Sequence, residues 1–341
     1  MRRNVALCFA LLFTTLAFLH ALPIADAVDV KIDEWLTPSN PPYPHDPAVA
    51  PDGSIWYTGQ KANVVGRFDP KTEQFKEFAL PTPGSGPHGV IADKDGNIWY
   101  TGNAAALIGK IDPKTEKITE YKMPDPKARD PHTMAFNKAG LMYFTVQAGN
   151  FVGTLDPKSG KIALYPAPTA NARPYGIMLN SKEVPFFDEF NAPNIGSIDP
   201  KTLKITEYPL PDKAARPRRI AIAKDDTIYY TDFARGYLGH LDPATGKVEE
   251  FLSPGGEKSR PYAIGITSDG AVWYAETGDD AHNMLVRFNP TTKKTQTWPI
   301  PGGGGTVRNL DIAKGDVIWL AESGVGKIAR VTIKGMTSTQ D

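Results

Sequence analysis

One short motif recurs seven times along this chain, and its spacing constrains the fold more than any other feature. The second residue of the motif falls at His45, His88, His132, Tyr175, Arg218, Tyr262 and Arg308, in steps of 43, 44, 43, 43, 44 and 46 residues. Fourteen residues after each comes the end of an apolar run, at Gly59, Gly102, Val146, Glu189, Asp232, Glu276 and Glu322. A period of about 40–45 residues holding several short strands is that of a propeller blade. The expected fold is all-β, a seven-bladed β-propeller of four-stranded blades. Like-numbered positions then form rings about one axis.

The second repeat shows the blade. Gly89–Ala92 is a short apolar run, Asp93–Asn97 a turn around Asp-Gly, and Ile98–Thr101 a second strand. Leu107–Ile111 and Lys117–Tyr121 follow as third and fourth strands, joined at Asp112-Pro113, where proline's fixed φ suits the second turn position. The Asp/Asn-Pro turn occurs six times: at Asp69, Asp112, Asp156, Asp199, Asp242 and Asn289. The seventh repeat ends after three strands. Val30–Trp35 resembles the fourth strands Ile118–Tyr121 and Ile205–Tyr208, so the N-terminal strand is expected to complete the last blade and close the ring.

Residues 1–27 differ from the rest. Arg2 and Arg3 precede an apolar stretch, Val5 to Leu22, and Ala25-Asp26-Ala27 fits a cleavage site. The reading is a signal peptide over 1–27 and a propeller over 28–341, in a periplasmic or secreted protein with no membrane attachment after cleavage. The only cysteine, Cys8, lies in that leader, so the remainder carries no thiol and no cysteine-based metal site. With 38 basic and 38 acidic side chains the net charge is zero. That argues against nucleic acid as a partner, which needs a basic excess. A monomer that takes a small-molecule ligand is expected.

Strand A is innermost in a propeller, and strand B runs antiparallel to it. The motif residue and the residue fourteen later are therefore expected at one mouth of the central channel. One side of that mouth carries His45, His88 and His132 with Gly59, Gly102 and Val146. The other carries Tyr175, Arg218, Tyr262 and Arg308 with Glu189, Asp232, Glu276 and Glu322. Arg173, Arg216 and Arg260 lie two residues before Tyr175, Arg218 and Tyr262. Four equivalent carboxylates must be compensated. Either the arginines neutralise them in a structural network, or Glu189, Asp232, Glu276 and Glu322 form a site, holding a divalent ion such as Mg²⁺ or Ca²⁺ or keeping a raised-pKa carboxyl as general acid or base. The three imidazoles are read as a metal site, a pocket wall or structural contacts. The paired aromatics of strand B, such as Trp56-Tyr57 and Trp99-Tyr100, are read as packing between blades. No phosphate-binding loop, serine elbow or Cys-His pair is present.

The unit Pro-His-Gly…Asp-Gly-Asn-Ile-Trp-Tyr-Thr…Ile-Gly-Lys-Ile-Asp-Pro…Ile-Thr-Glu-Tyr at 87–121 resembles the repeat of the virginiamycin B lyase (streptogramin B lyase) family over residues 30–333. The resemblance implies elimination across an ester of a cyclic substrate, with a His base and Mg²⁺. The family's sixth-blade His falls here on Tyr262. Its Glu-Pro-His falls on Thr306-Val307-Arg308, and its final Glu falls on Glu322. The candidate catalytic residues are thus Glu322, Tyr262 and Arg308. His45, His88, His132, Tyr175, Arg218 and Arg260 would line the pocket. Three functions stay open: a lyase-like enzyme, a non-catalytic binding propeller, and a metal-dependent lactone hydrolase.

Overall fold

In a computed structural model, residues 27–279 and 282–334 are described. Apart from Ala27, the expected leader lies outside them. Seven four-stranded antiparallel sheets follow one another around a ring. In six blades the strands A to D are consecutive. The seventh takes A, B and C from Val307–Ala313, Val317–Glu322 and Lys327–Lys334, and D from Asp29–Leu36. Asp29 pairs with Lys334 and Leu36 with Lys327, so the first and last described strands form one antiparallel ladder and the ring is closed as expected. Among the described residues no helix is long and apolar enough to cross a membrane.

The strand B aromatics pack as expected, and strand C explains how. Tyr57, Tyr100, Phe144, Phe187 and Tyr230 face Gly66, Gly109, Gly153, Gly196 and Gly239. A Cβ on any of these glycines would lie within about 2.2 Å of the ring. The recurring glycine of strand C is therefore the space into which the strand B ring lies. The preceding aromatic points the other way, toward the next blade: Trp99 packs in one cluster with Met134 and Met142.

Threonines staple successive blades at the hub. Thr58, Thr101 and Thr231 each donate to the motif carbonyl of the next blade, at 2.6, 2.9 and 2.8 Å, and Thr145 does the same toward Tyr175. In blades one to three the same hydroxyl accepts the amide just after its own motif residue. Blade four has Asp188 instead. Its Oδ2 accepts the Gly176 amide at 3.2 Å, and its Oδ1 is buried without a partner.

Each blade also begins with a β-bulge. Pro44 pairs with Gly59 but Pro47 with Tyr57, and the same one-residue shift recurs at the start of strand A in all seven blades. A bulge adds one unpaired residue and re-aims its side chain. Here the extra residue is at the motif, so the motif side chain turns out of the ladder and into the channel.

Candidate functional site

The seven motif residues form a packed plug at the start of strand A. His45 and His88 have ring centroids 3.6 Å apart, His88 and His132 3.8 Å, and His132 and Tyr175 3.6 Å. All four rings are buried. The Tyr175 and Tyr262 hydroxyls bond to one another across the ring. The Arg218 guanidinium lies 4.0 Å from the Tyr262 ring centre, 4.2 Å from Phe233 and 4.6 Å from Phe190. Arg308 donates to the Tyr43 hydroxyl at 2.6 Å. Arg218, Arg308, Tyr43, Phe190 and Phe233 are half-buried and form the rim, with Arg260 exposed beside Phe233.

A second layer, one residue along each strand, spans the channel beneath. Arg219 of blade five reaches Asp46 of blade one, with Nη2 2.9 and 3.0 Å from the two carboxylate oxygens. Its Nη1 donates to Thr133 Oγ1 at 3.1 Å. Asn309 Nδ2 donates to Asp46 at 3.1 Å, and His45 Nδ1 stands 2.9 Å from the same carboxylate. The geometry fits a neutral His45 that carries its proton on Nδ1. Sequence reasoning missed this layer. Its signal was the residue after each motif, where Asp46, Thr133, Arg219 and Asn309 stand among Gly and Ala.

The field here is positive. Burial lowers the pKa of His45 well below the ordinary value, and Arg308, Arg219 and Arg218 push it the same way. Burial and arginines likewise keep His88 and His132 neutral. Burial alone would raise the Tyr262 phenol, but Arg218, Arg219 and Arg308 together outweigh it and leave that pKa below its ordinary value. Tyr175 moves up, chiefly by burial.

The four expected carboxylates take another course. Each pairs across the ladder with the motif's first residue, Pro174, Pro217, Pro261 or Val307, and stays with its own blade. Glu189 accepts from Asn194 at 2.9 Å; burial, with Glu207 nearby, pushes its pKa up to about 8. Asp232 accepts the Arg216 amide at 3.0 Å and Arg235 Nε at 2.7 Å. Glu276 accepts the Gly255 amide at 2.7 Å and the Ser253 hydroxyl. Glu322 lies beside Glu34; burial, the negative charge of Glu34 and the hydrogen bond that the protonated carboxyl makes to it raise the Glu322 pKa to about 9. No ion pair joins any of the four to Arg173, Arg216, Arg218, Arg260 or Arg308; the guanidinium on Asp232 is that of Arg235.

Among the described residues, one group of three His, Asp or Glu brings its ligand atoms within 4.8 Å of each other: His45, Asp46 and His88. It fits a divalent ion poorly. Both Asp46 oxygens already accept from Arg219, and the arginines that depress the imidazoles repel a dication equally.

A closed seven-bladed ring with an arginine-and-aromatic rim over a buried imidazole and tyrosine plug defines a channel-mouth propeller of the streptogramin lyase architecture. The sequence model of the virginiamycin B lyase family matches residues 26–284, and the chain belongs to that family. The fold is similar to a streptogramin B lyase structure at 27% identity, covering 89% of this chain and 98% of that one, with a TM-score of 0.80. Virginiamycin B lyase from Staphylococcus aureus is likewise 27% identical, with a TM-score of 0.81 and 89% and 99% coverage, both in its selenomethionine form and as a catalytically inactive histidine-to-alanine variant with quinupristin. Hydrazine synthase of Kuenenia stuttgartiensis, at 13% identity, shares the fold alone, with a TM-score of 0.71 over 90% and 98% of the two chains. No curated protein matches the chain in sequence.

Proposed function

We propose that this propeller binds a small, anion-bearing planar molecule at the channel mouth and does not carry out its relatives' metal-assisted elimination. One observation carries the reading. Among the described residues the guanidiniums of Arg218 and Arg308 have hydroxyl and ring neighbours at the rim, and no carboxylate pairs with either. A guanidinium that is stacked on rings and free of a counter-ion is suited to a carboxylate or similar oxyanion. The aromatic rim supplies the contact for a flat body. The net positive field favours the anion and opposes the divalent ion that the family's chemistry uses.

Calorimetric titration with benzoate tests this. Expected is saturable binding that weakens with salt. Arg218→Gln and Arg308→Gln should each weaken it by about tenfold or more, the usual loss for a charged hydrogen bond. Unchanged affinity in both variants would overturn the reading, as would Mg²⁺-dependent ring opening of quinupristin.

The lowered pKa of Tyr262 favours a second reading, in which the mouth retains elimination chemistry. The Tyr262 oxygen would take the proton beside a carbonyl. The carbon's electron pair would then form the C=C bond as the ester oxygen leaves, with Arg218 and Arg308 holding the developing enolate. Such a reaction opens a ring without change of mass, whereas lactone hydrolysis adds one water. Mass spectrometry separates the two, and Tyr262→Phe should abolish the first.

A further inference from the structure

The residue that follows strand B returns to the rim in every blade. Its amide donates to the carbonyl two residues before the motif residue, as Gln147 does to Asp130 at 2.8 Å and Phe190 to Arg173 at 3.1 Å. The same bond recurs in all seven blades, so one backbone contact fixes seven side chains in a second ring on the mouth. Blades four and five place Phe190 and Phe233 there, and both rings pack on Arg218. The other five are polar, and three of them are spent within the protein. Asn103 donates to Asp130 Oδ1, Thr277 to the Arg260 carbonyl at 2.8 Å and Ser323 to the Pro44 carbonyl at 2.6 Å. The amides of Gln60 and Gln147 bond to no other side chain or backbone group among the described residues, and both stay half-buried and open to solvent.

Gln147 differs from Gln60 in having an acid beside it. The backbone bond holds Asp130 against Gln147, and Asp130 is half-buried at the rim. Its Oδ1 takes Asn103, while Oδ2 has no protein donor among the described residues and faces solvent. Burial raises the Asp130 pKa to about 6, with Asn103 and Arg173 pulling the other way, so the carboxyl is ionised at pH 7.5 and only accepts. The charge of nearby Arg173 already acts on it, so a partner for Oδ2 needs a donor and no charge. The Gln147 amide supplies a donor of its own. An acceptor and a donor side by side, both reachable, match the N–H and C=O of a secondary amide.

We propose that the ligand of the mouth is a flat acid carrying a neutral secondary-amide arm, and that Asp130 and Gln147 select the arm; this rests on the anion reading given above. The carboxylate meets Arg218 and the flat body lies along Phe190 and Phe233. The arm crosses to blade three, which adjoins the blade of Phe190, where its N–H donates to Asp130 and its carbonyl accepts from Gln147. A few placed polar groups beside an aromatic wall fix orientation and specificity.

Calorimetry at pH 7.5 with benzoate, 4-acetamidobenzoate and 4-isobutylbenzoate tests this in the full chain. The isobutyl group matches the acetamide in shape and has neither donor nor acceptor. The acetamide should bind about tenfold more tightly than the isobutyl acid, as two neutral hydrogen bonds allow. Gln147→Leu should bring the two affinities to within about twofold of each other. So should Asp130→Gly, which suits the positive φ of 68° there. Gln60→Leu, in blade one, should keep the preference. If benzoate itself fails to bind, the anion reading falls and this assignment with it. If benzoate binds but the two extended acids bind equally, or the preference survives in both Gln147→Leu and Asp130→Gly, this assignment alone is overturned.

Discussion

Replacing Glu322 by Gln should make the protein more stable, and increasingly so as pH rises. The side chain is fully buried at the end of strand B in the closing blade, and no cationic or neutral donor reaches it, Glu34 being its one polar neighbour among the described residues. The nearby lysine, Lys327, is spent on Glu34 at 2.6 Å, and Glu34 also accepts the Gly302 amide at 2.7 Å. Burial and Glu34 therefore raise the Glu322 pKa from 4.5 to about 9. The unfolded chain loses this proton near 4.5, while the folded chain keeps it to about 9. Between those values the folded state binds one proton more, so its stability falls as pH rises. From pH 5 to 7.5 the cost of this one group grows by roughly 3 kcal/mol. Gln keeps the shape and cannot titrate. Urea denaturation of both proteins across that range isolates the effect, because the other titrating groups cancel in the difference. The gap in favour of Glu322→Gln should widen by roughly 3 kcal/mol over the range. A pH-independent gap, or wild-type protein stabilised at neutral pH by millimolar Mg²⁺ where the variant is not, would refute the reasoning. Either result would mean that the carboxylate is ionised and held by a partner.

Two further outcomes follow from the hub. Asp188 occupies the staple position that Thr holds in four other blades, and burial raises its pKa well above the ordinary value. Asp188→Thr should restore the bond to the next blade, remove an orphaned oxygen and stabilise the fold at neutral pH by about 1–3 kcal/mol in urea melts; a less stable variant would show that the carboxyl has a partner. In spectrophotometric titration one tyrosine should ionise below the ordinary 10.0, move upward in Arg218→Gln and vanish in Tyr262→Phe; a low-pKa phenol that survives Tyr262→Phe would remove Tyr262 from the account.

The architecture was legible because each blade writes its own local signals. The Asp-Pro turns, the alternating outer strands and the spare N-terminal strand each act within one repeat or between its ends. Symmetry then places the motif residues around the axis, and His45, His88, His132, Tyr175 and Tyr262 do meet there. The carboxylates were not legible, and the reason is one residue of register. The residue fourteen positions on pairs with the motif's first member, so Glu189 lies opposite Pro174 and Glu322 opposite Val307. The bulge leaves Tyr175 and Arg308 out of the ladder and turns them inward, while the acids keep to Asn194, Arg235, Ser253 and the Glu34–Lys327 pair. A count of spacings cannot reveal a bulge, since the extra residue is present in every repeat and leaves the period unchanged.

The sign of the mouth was present in the sequence but is decided by burial. Arginines at the motif of a wide, wet channel would be screened and would say little about a ligand. Packed rings close the channel beneath the rim, so Arg219 is shut off from water while Arg218 and Arg308 stay half-buried above it, and Asp46 is the carboxylate that pairs with Arg219. Burial together with these three cations keeps His45 neutral, and the same cations draw the Tyr262 phenol down. A divalent ion placed at His45, Asp46 and His88 would have to overcome that field, and an anion at the rim would gain from it. Under the proposed reading Tyr262 and Arg308 act together: neither offers the imidazole that the family resemblance expects there, Arg308 adds a cation, and the mouth is better suited to an oxyanion than to Mg²⁺.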